Sequence, residues 1–162
     1  FRQINIPMIS LKEKKEQLFG RFRTGVIKHG KCNDVNTTIY SLRKGNCFIT
    51  TGPLLNMSCL SEKSIYNMGN TIYNNTGILQ ISVISTPEFG MINNIVVKQG
   101  IIGEVTETDH FIINNLNQFV FKHEFEVHTD VHCYYRCEAK CKDNGNYKIF
   151  SISNPVWLKP QS

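Results

Sequence analysis

The rhythm of apolar positions changes once along this chain, near residue 46. Before that point the spacing is helical. Val35, Ile39 and Leu42 recur at intervals of four and three, which predicts a helix from Val35 to Lys44 with one apolar stripe and with Asn33 or Asp34 as its cap. Ser10 is placed to cap a shorter helix, Leu11 to Phe19, closed by Gly20; Leu11 and Leu18, seven apart, share a face from which the lysines point away. After residue 46 the period is two. Leu79, Ile81 and Val83 alternate with Gln80 and Ser82, and Phe119, Phe121, His123, Phe125 and Val127 continue the pattern on a longer strand. Strands are expected at Cys47–Thr51, Leu54–Cys59, Ile78–Thr86, Asn94–Gln99, Ile101–Glu107, Phe119–His128, His132–Lys142 and Tyr147–Leu158.

Turn residues punctuate these runs. Gly45 suits the left-handed position just past a helix end, and Thr51-Gly52-Pro53 stops the strand that follows, because proline fixes φ and removes a donor. Asn67–Gly77, rich in Asn and Gly, reads as an exposed loop. Asp143-Asn-Gly-Asn146 reads as a hairpin turn between the last two strands. Roughly seven or eight short strands with such turns predict a mainly β fold, an antiparallel immunoglobulin-like β-sandwich preceded by one or two short helices. The division expected is a helical junction over 1–45 and the sandwich over 46–162.

The six cysteines do not have zinc-ribbon spacing. Cys133, Cys137 and Cys141 share one face of a strand with Tyr135 and Ala139, leaving Tyr134, Arg136, Glu138 and Lys140 on the other. Positions four apart on a strand are separated by roughly 13 Å, so these three cannot pair with one another, although any of them can reach Cys32, Cys47 or Cys59. Small core residues bearing free thiols are the expected role.

The hydrophobic share of 41% is ordinary for a globular protein and argues against disorder, and the net charge of +5 is modest. The lysines at 12, 14 and 15 form a solvated face with Glu13 and Glu16. Phe19, Arg21, Phe22 and Arg23 offer the aromatic and basic interleaving of a nucleic-acid groove only superficially, so a packed junction is favoured and no nucleic-acid partner is expected. No apolar run approaches the roughly 20 residues that span a bilayer, and the first residues lack the apolar core of a secretory signal. No membrane partner and a cytoplasmic location are the expectations.

Candidate chemistry is thin. His123 and His128 fall on opposite faces of a strand, while His128 and His132 flank a turn at Thr129-Asp130 and would meet across a hairpin. With Asp130 they make an incomplete metal site. No nucleophile elbow and no phosphate-binding glycine loop occurs, and Glu104, Glu107 and Asp109 read as an exposed polar edge. Arg136, with five donors in a rigid fork, is expected to pin a loop or the chain near Trp157 rather than to bind substrate. Trp157, the sole tryptophan, is expected in the core, with stacking on a sugar as the other reading. Sequons at Asn36, Asn56 and Asn74 carry no weight in so Asn-rich a chain.

Four blocks, in order, resemble a known family. Leu42–Pro53 (LRKGNCFITTGP) looks like the segment that follows the catalytic domain in PHP-type (polymerase and histidinol phosphatase) metal-dependent phosphoesterases. Leu18–Val26 (LFGRFRTGV) is similar to the stretch closing that domain. Tyr135-Arg136 and Ser153–Trp157 (SNPVW) look like the family's ending, and Phe1–Ile4 would follow its last Asp-His metal pair. The family's opening His-x-His is absent, and Asp109-His110 lies far downstream of its closing pair. The resemblance therefore implies a non-catalytic accessory β-sandwich, with no catalytic or metal-binding residue of its own. Divalent manganese, zinc or iron belongs to a catalytic domain outside this chain, which is the implied partner. Arg21, Arg23, Thr24, Thr50, Thr51, Gly52 and Pro53 would then lie near the junction, which if exposed leaves room for a homodimer. A free-standing sandwich binding carbohydrate or protein is the alternative.

Overall fold

The computed structural model describes residues 3–6, 9–12, 21–28, 34–142 and 148–161, the first two segments as backbone alone. One helix and fourteen strands are described: β1 (Gln3–Ile6), β2 (Ile9–Lys12), β3 (Arg23–Val26), α1 (Val35–Arg43), β4 (Cys47–Thr50), β5 (Leu54–Ser61), β6 (Ser64–Asn67) and β7 (Thr71–Ile72), then β8 (Thr76–Ile84), β9 (Ile92–Ile101), β10 (Glu107–Gln118), β11 (Val120–His128), β12 (Cys133–Cys141), β13 (Phe150–Ser153) and β14 (Val156–Leu158). Two sheets make the body. The larger runs β10-β9-β12-β13-β4-β3, with β14 beside β12 and the short β7 beside β14; the smaller runs β11-β8-β5-β6. All pairs are antiparallel except β14 with β7. The mainly β fold is as expected from the two-residue period.

Period-two strands bury one face each, and the two inner faces meet. Leu55, Met57, Cys59, Leu79, Ile81 and Val83 face Val97, Cys133, Tyr135, Cys137, Val156 and Leu158 across a core in which each is at most 2% exposed. The three cysteines of β12 share this inner face, as the spacing of four requires. Cys47, Cys59, Cys133, Cys137 and Cys141 are all free thiols. Burial pushes the Cys59 thiol up to about 11 and raises that of Cys137 as well, so both stay protonated and act as small apolar residues.

Several expectations change. The helix read from Leu11 does not begin there, because Leu11 and Lys12 pair with Ile4 and Gln3 in a β1–β2 hairpin; residues 13–20 lie outside the described residues. The segment before 46 is not only helical, since β3 joins the larger sheet through Arg23–Val26 opposite Cys47–Thr50. Helix α1 forms as read, capped by the Asp34 carboxylate on the Thr37 amide at 2.6 Å and followed by Gly45 at φ +73°. Its apolar stripe, however, is exposed: Val35 at 71%, Ile39 at 42% and Leu42 at 43%, while Ser41 is the residue it buries.

Asn67–Gly77 is not one loop, because β7 and the start of β8 lie within it. The strand read at Ile101–Glu107 is a hairpin tip, and β10 follows it. The turn at 143–146 lies outside the described residues; the strands on either side, β12 and β13, pair antiparallel.

Candidate functional site

The residues marked as a junction assemble at one corner. β3 and β4 bring Arg23 opposite Thr50 and Thr24 opposite Ile49. The Thr50 hydroxyl accepts the Gly52 amide at 2.8 Å and donates to the Pro53 carbonyl at 2.7 Å, and the Ser151 hydroxyl bonds to the same carbonyl. Thr51 accepts the Phe150 amide at 2.9 Å. Gly52 lies against Phe89 and Ile149, where any Cβ would collide. Arg21 donates to the Lys148 carbonyl at 3.3 Å, and the Arg23 guanidinium stands 5.9 Å from the Phe89 ring.

Thr50, Thr51 and Pro53 are buried, whereas Arg23, Thr24 and Phe22 are exposed. The hydroxyls therefore serve the turn: they hold the proline-ended connection that carries the chain from β4 in the larger sheet to β5 in the smaller one, and they give its amide and carbonyl partners. Thr50→Val keeps the shape and removes the hydroxyl, so stability should fall by about 1–3 kcal/mol in urea unfolding.

A second cluster joins two of the blocks that looked alike in sequence to a known family. The Asn154 side chain donates to the Gly45 carbonyl at 2.9 Å, the Asn154 backbone N–H to the Cys47 carbonyl at 3.2 Å, and the Gly69 backbone N–H to the Pro155 carbonyl at 2.6 Å. The end of α1, the β6–β7 turn and the bend before β14 are thereby held together. These motif residues act as fasteners of the sandwich.

The outward face of the larger sheet carries the polar chemistry. The Arg136 fork takes both oxygens of Glu107, Nε to Oε1 at 2.6 Å and Nη2 to Oε2 at 2.5 Å, and donates from Nη1 to Glu138 at 2.7 Å. Tyr134 donates its hydroxyl to Glu107 at 2.9 Å. Lys98 meets Asp109 at 2.5 Å. Arg136, first through its hydrogen bonds, holds the Glu107 carboxyl below its usual range, so Glu107 is a fixed anion and a poor general acid. Arg136 thus ties β12 to β10 across β9; Tyr134 is what meets Trp157, with ring centroids 5.0 Å apart. Trp157 is not in the core. Its neighbours Val156 and Leu158 point inward, and the indole lies half-buried on the outer face.

The histidines do not converge. β11 and β12 belong to different sheets, so His128 and His132 do not meet across a hairpin. His128 approaches Asp130 at 3.7 Å, and His132 sits edge-on to Trp157. Among the described residues, no group of three or more His, Cys, Asp or Glu is placed to hold a metal ion. No described helix is long and apolar enough to cross a membrane.

Sequence reading missed His110. A bulge between Asp109 and Phe111 puts two successive rings toward β11: His110 stacks on Phe125 at 5.9 Å, and Phe111 on His123 at 4.9 Å. Desolvation lowers the His110 pKa below its usual 6.5. The unfolded chain then binds the extra proton first, so stability from this group is present above pH 6.5 and lost as pH falls through the lowered value. Melting temperature should drop between pH 7.5 and 5, and His110→Phe should flatten that drop.

Scans against protein-family models, curated proteins and solved structures returned no match to this chain.

Proposed function

We propose that this chain is a non-catalytic accessory β-sandwich that packs on the catalytic domain of a PHP-type metal-dependent phosphoesterase. The observation that carries the reading is the exposed apolar stripe of α1. An amphipathic helix normally turns such a stripe inward, and here Val35, Ile39 and Leu42 turn outward, with Tyr40 beside them at 59% exposure. Phe22, 62% exposed, precedes β3, which packs near α1. A groove of about 300 Å³ flanks the same strand, lined by Gly25, Val26, Ile27, Phe48 and Leu54, and the Asn56 Oδ1 at its wall has no hydrogen-bond partner.

The ordered motifs give the direction. The blocks resembling the closing stretch of the catalytic domain lead into β3 and β4, so the partner is the chain's own preceding domain. That domain would hold divalent manganese, zinc or iron, and the metal would supply the activation of water needed for phosphoester hydrolysis. The sandwich positions it and supplies no reacting group. The free thiols fit a reducing, cytoplasmic setting.

The double variant Ile39→Asp and Leu42→Asp tests the docking face. In this chain alone it should lower stability by no more than about 1–2 kcal/mol and leave it folded, because both side chains are already partly exposed. In the protein extended through the catalytic domain it should detach the two domains, seen as faster proteolysis between them, and reduce phosphoester hydrolysis. Unchanged proteolysis and hydrolysis would sink the assignment.

A further inference from the structure

One register row crosses four strands on the outer face of the larger sheet. Trp157 of β14 stands opposite Tyr134 of β12, Tyr134 opposite Gly100 of β9, and Gly100 opposite Glu107 of β10. The glycine matters because an added Cβ there would come closer to the Tyr134 ring than contact allows. Tyr134 therefore lies down over the bare backbone of Gly100, with its hydroxyl on Glu107. A tyrosine laid over a sheet in this way turns one π-face to the backbone and the other to solvent. Trp157 closes the row with its plane inclined 56° to that ring, and His132 braces the indole from behind at 6.4 Å. The two large rings form an angled notch.

The wall of the notch is polar. Arg136 has five N–H groups, of which three are committed to Glu107 and Glu138, leaving two for an outside acceptor. Arg136, Glu107 and Glu138 are 21%, 25% and 16% exposed along their side chains, so they are reachable yet fixed. Every carboxylate here faces a cation: Glu107 and Glu138 face Arg136, Glu138 also lies 3.8 Å from Lys140, and Asp109 pairs with Lys98. The local charges cancel. A phosphorylated or carboxylated ligand gains nothing from such a surface.

We propose that this notch is a binding site for a neutral saccharide. The C–H face of a pyranose ring lies on Tyr134 against Trp157, its hydroxyls donating to the carboxylate of Glu107 and accepting from Arg136. Apolar ring faces beside ordered donors and acceptors match a molecule that is apolar on its faces and polar around its rim. The site lies on the β9–β10–β12–β14 face and involves none of the α1 residues, so it is independent of the accessory role.

Trp157 is the only tryptophan, so its emission reports directly on the notch. The chain is titrated with neutral hexasaccharides of β-linked glucose, xylose and N-acetylglucosamine and α-linked glucose, followed by indole fluorescence and calorimetry. At least one should give a saturable shift in emission, with a Kd below 5 mM as an order-of-magnitude bound (~−3 kcal/mol). Tyr134→Ala should weaken that ligand about tenfold or more, and Tyr134→Phe, which keeps the ring, by less than about threefold. If Tyr134→Ala fails to melt cooperatively, Trp157→Ala followed by calorimetry takes its place with the same expectation. No response to any of the four sugars, binding that survives loss of the ring, or saturable binding of a proline-rich decapeptide in place of sugars would overturn the assignment.

Discussion

Gly69→Ala is expected to cost about 3–5 kcal/mol, lowering the melting temperature by about 10 °C or more. Two effects add. The residue holds φ +88°, where an L side chain strains by about 1–2 kcal/mol. The new Cβ would also fall on the Lys44 carbonyl oxygen and the backbone of Gly45, neither of which can swing aside as a side chain can. Gly45 itself is at φ +73°, and its own Cβ would approach Gly69 Cα at 3.2 Å. The two glycines let the end of α1 and the β6–β7 turn touch. Gly103→Ala separates the terms: it shares the left-handed strain at φ +97° but has open space around it, so it should cost only about 1–2 kcal/mol. Urea unfolding of the two variants checks the difference. Equal costs would mean that the close approach carries no energy.

Tyr135→Ala should destabilise by about 3–5 kcal/mol, and Tyr135→Phe by about 1 kcal/mol. The ring is fully buried, edge-on to His110 at 5.1 Å, and stands on the inner face of β12 between Cys133 and Cys137. Removing it leaves a cavity in a strand bounded by partners on both sides. Removing only the hydroxyl takes away an acceptor for Gln99 Nε2 at 2.9 Å, and Gln99 is half-buried and able to reach water. Thermal melts of the pair give the split. A larger loss for Phe than for Ala would refute this ranking.

The strands with a clean two-residue alternation were legible in the sequence because one face of each is buried. β8, β11 and β12 bury a single face, and their registers follow from it. β10 was not legible. Bulges at His110 and near Asn114–Gln118 break its alternation, and Asn115 and Asn117 take positive φ, which asparagine tolerates. β6 was hidden by its turn. Glu62 and Lys63, at φ 48° and 66°, make the two-residue hairpin that Asn-Gly usually signals.

The stripe of α1 was read correctly as a stripe, but its direction belongs to tertiary packing, which spacing does not encode. Trp157 was misplaced for a related reason. Val156 and Leu158 satisfy the core from either side, and the residue between them must point out. The junction block was legible as punctuation, and its hydroxyl bonds to β13, about a hundred positions away, were not.

Metal-dependent phosphoester hydrolysis, measured on this chain and on the protein extended through the proposed catalytic domain, is the most direct test of the accessory role. With manganese or zinc, the extended form should turn over a phosphoester and this chain alone should not. Turnover by this chain alone, or silence from the extended form, would contradict it.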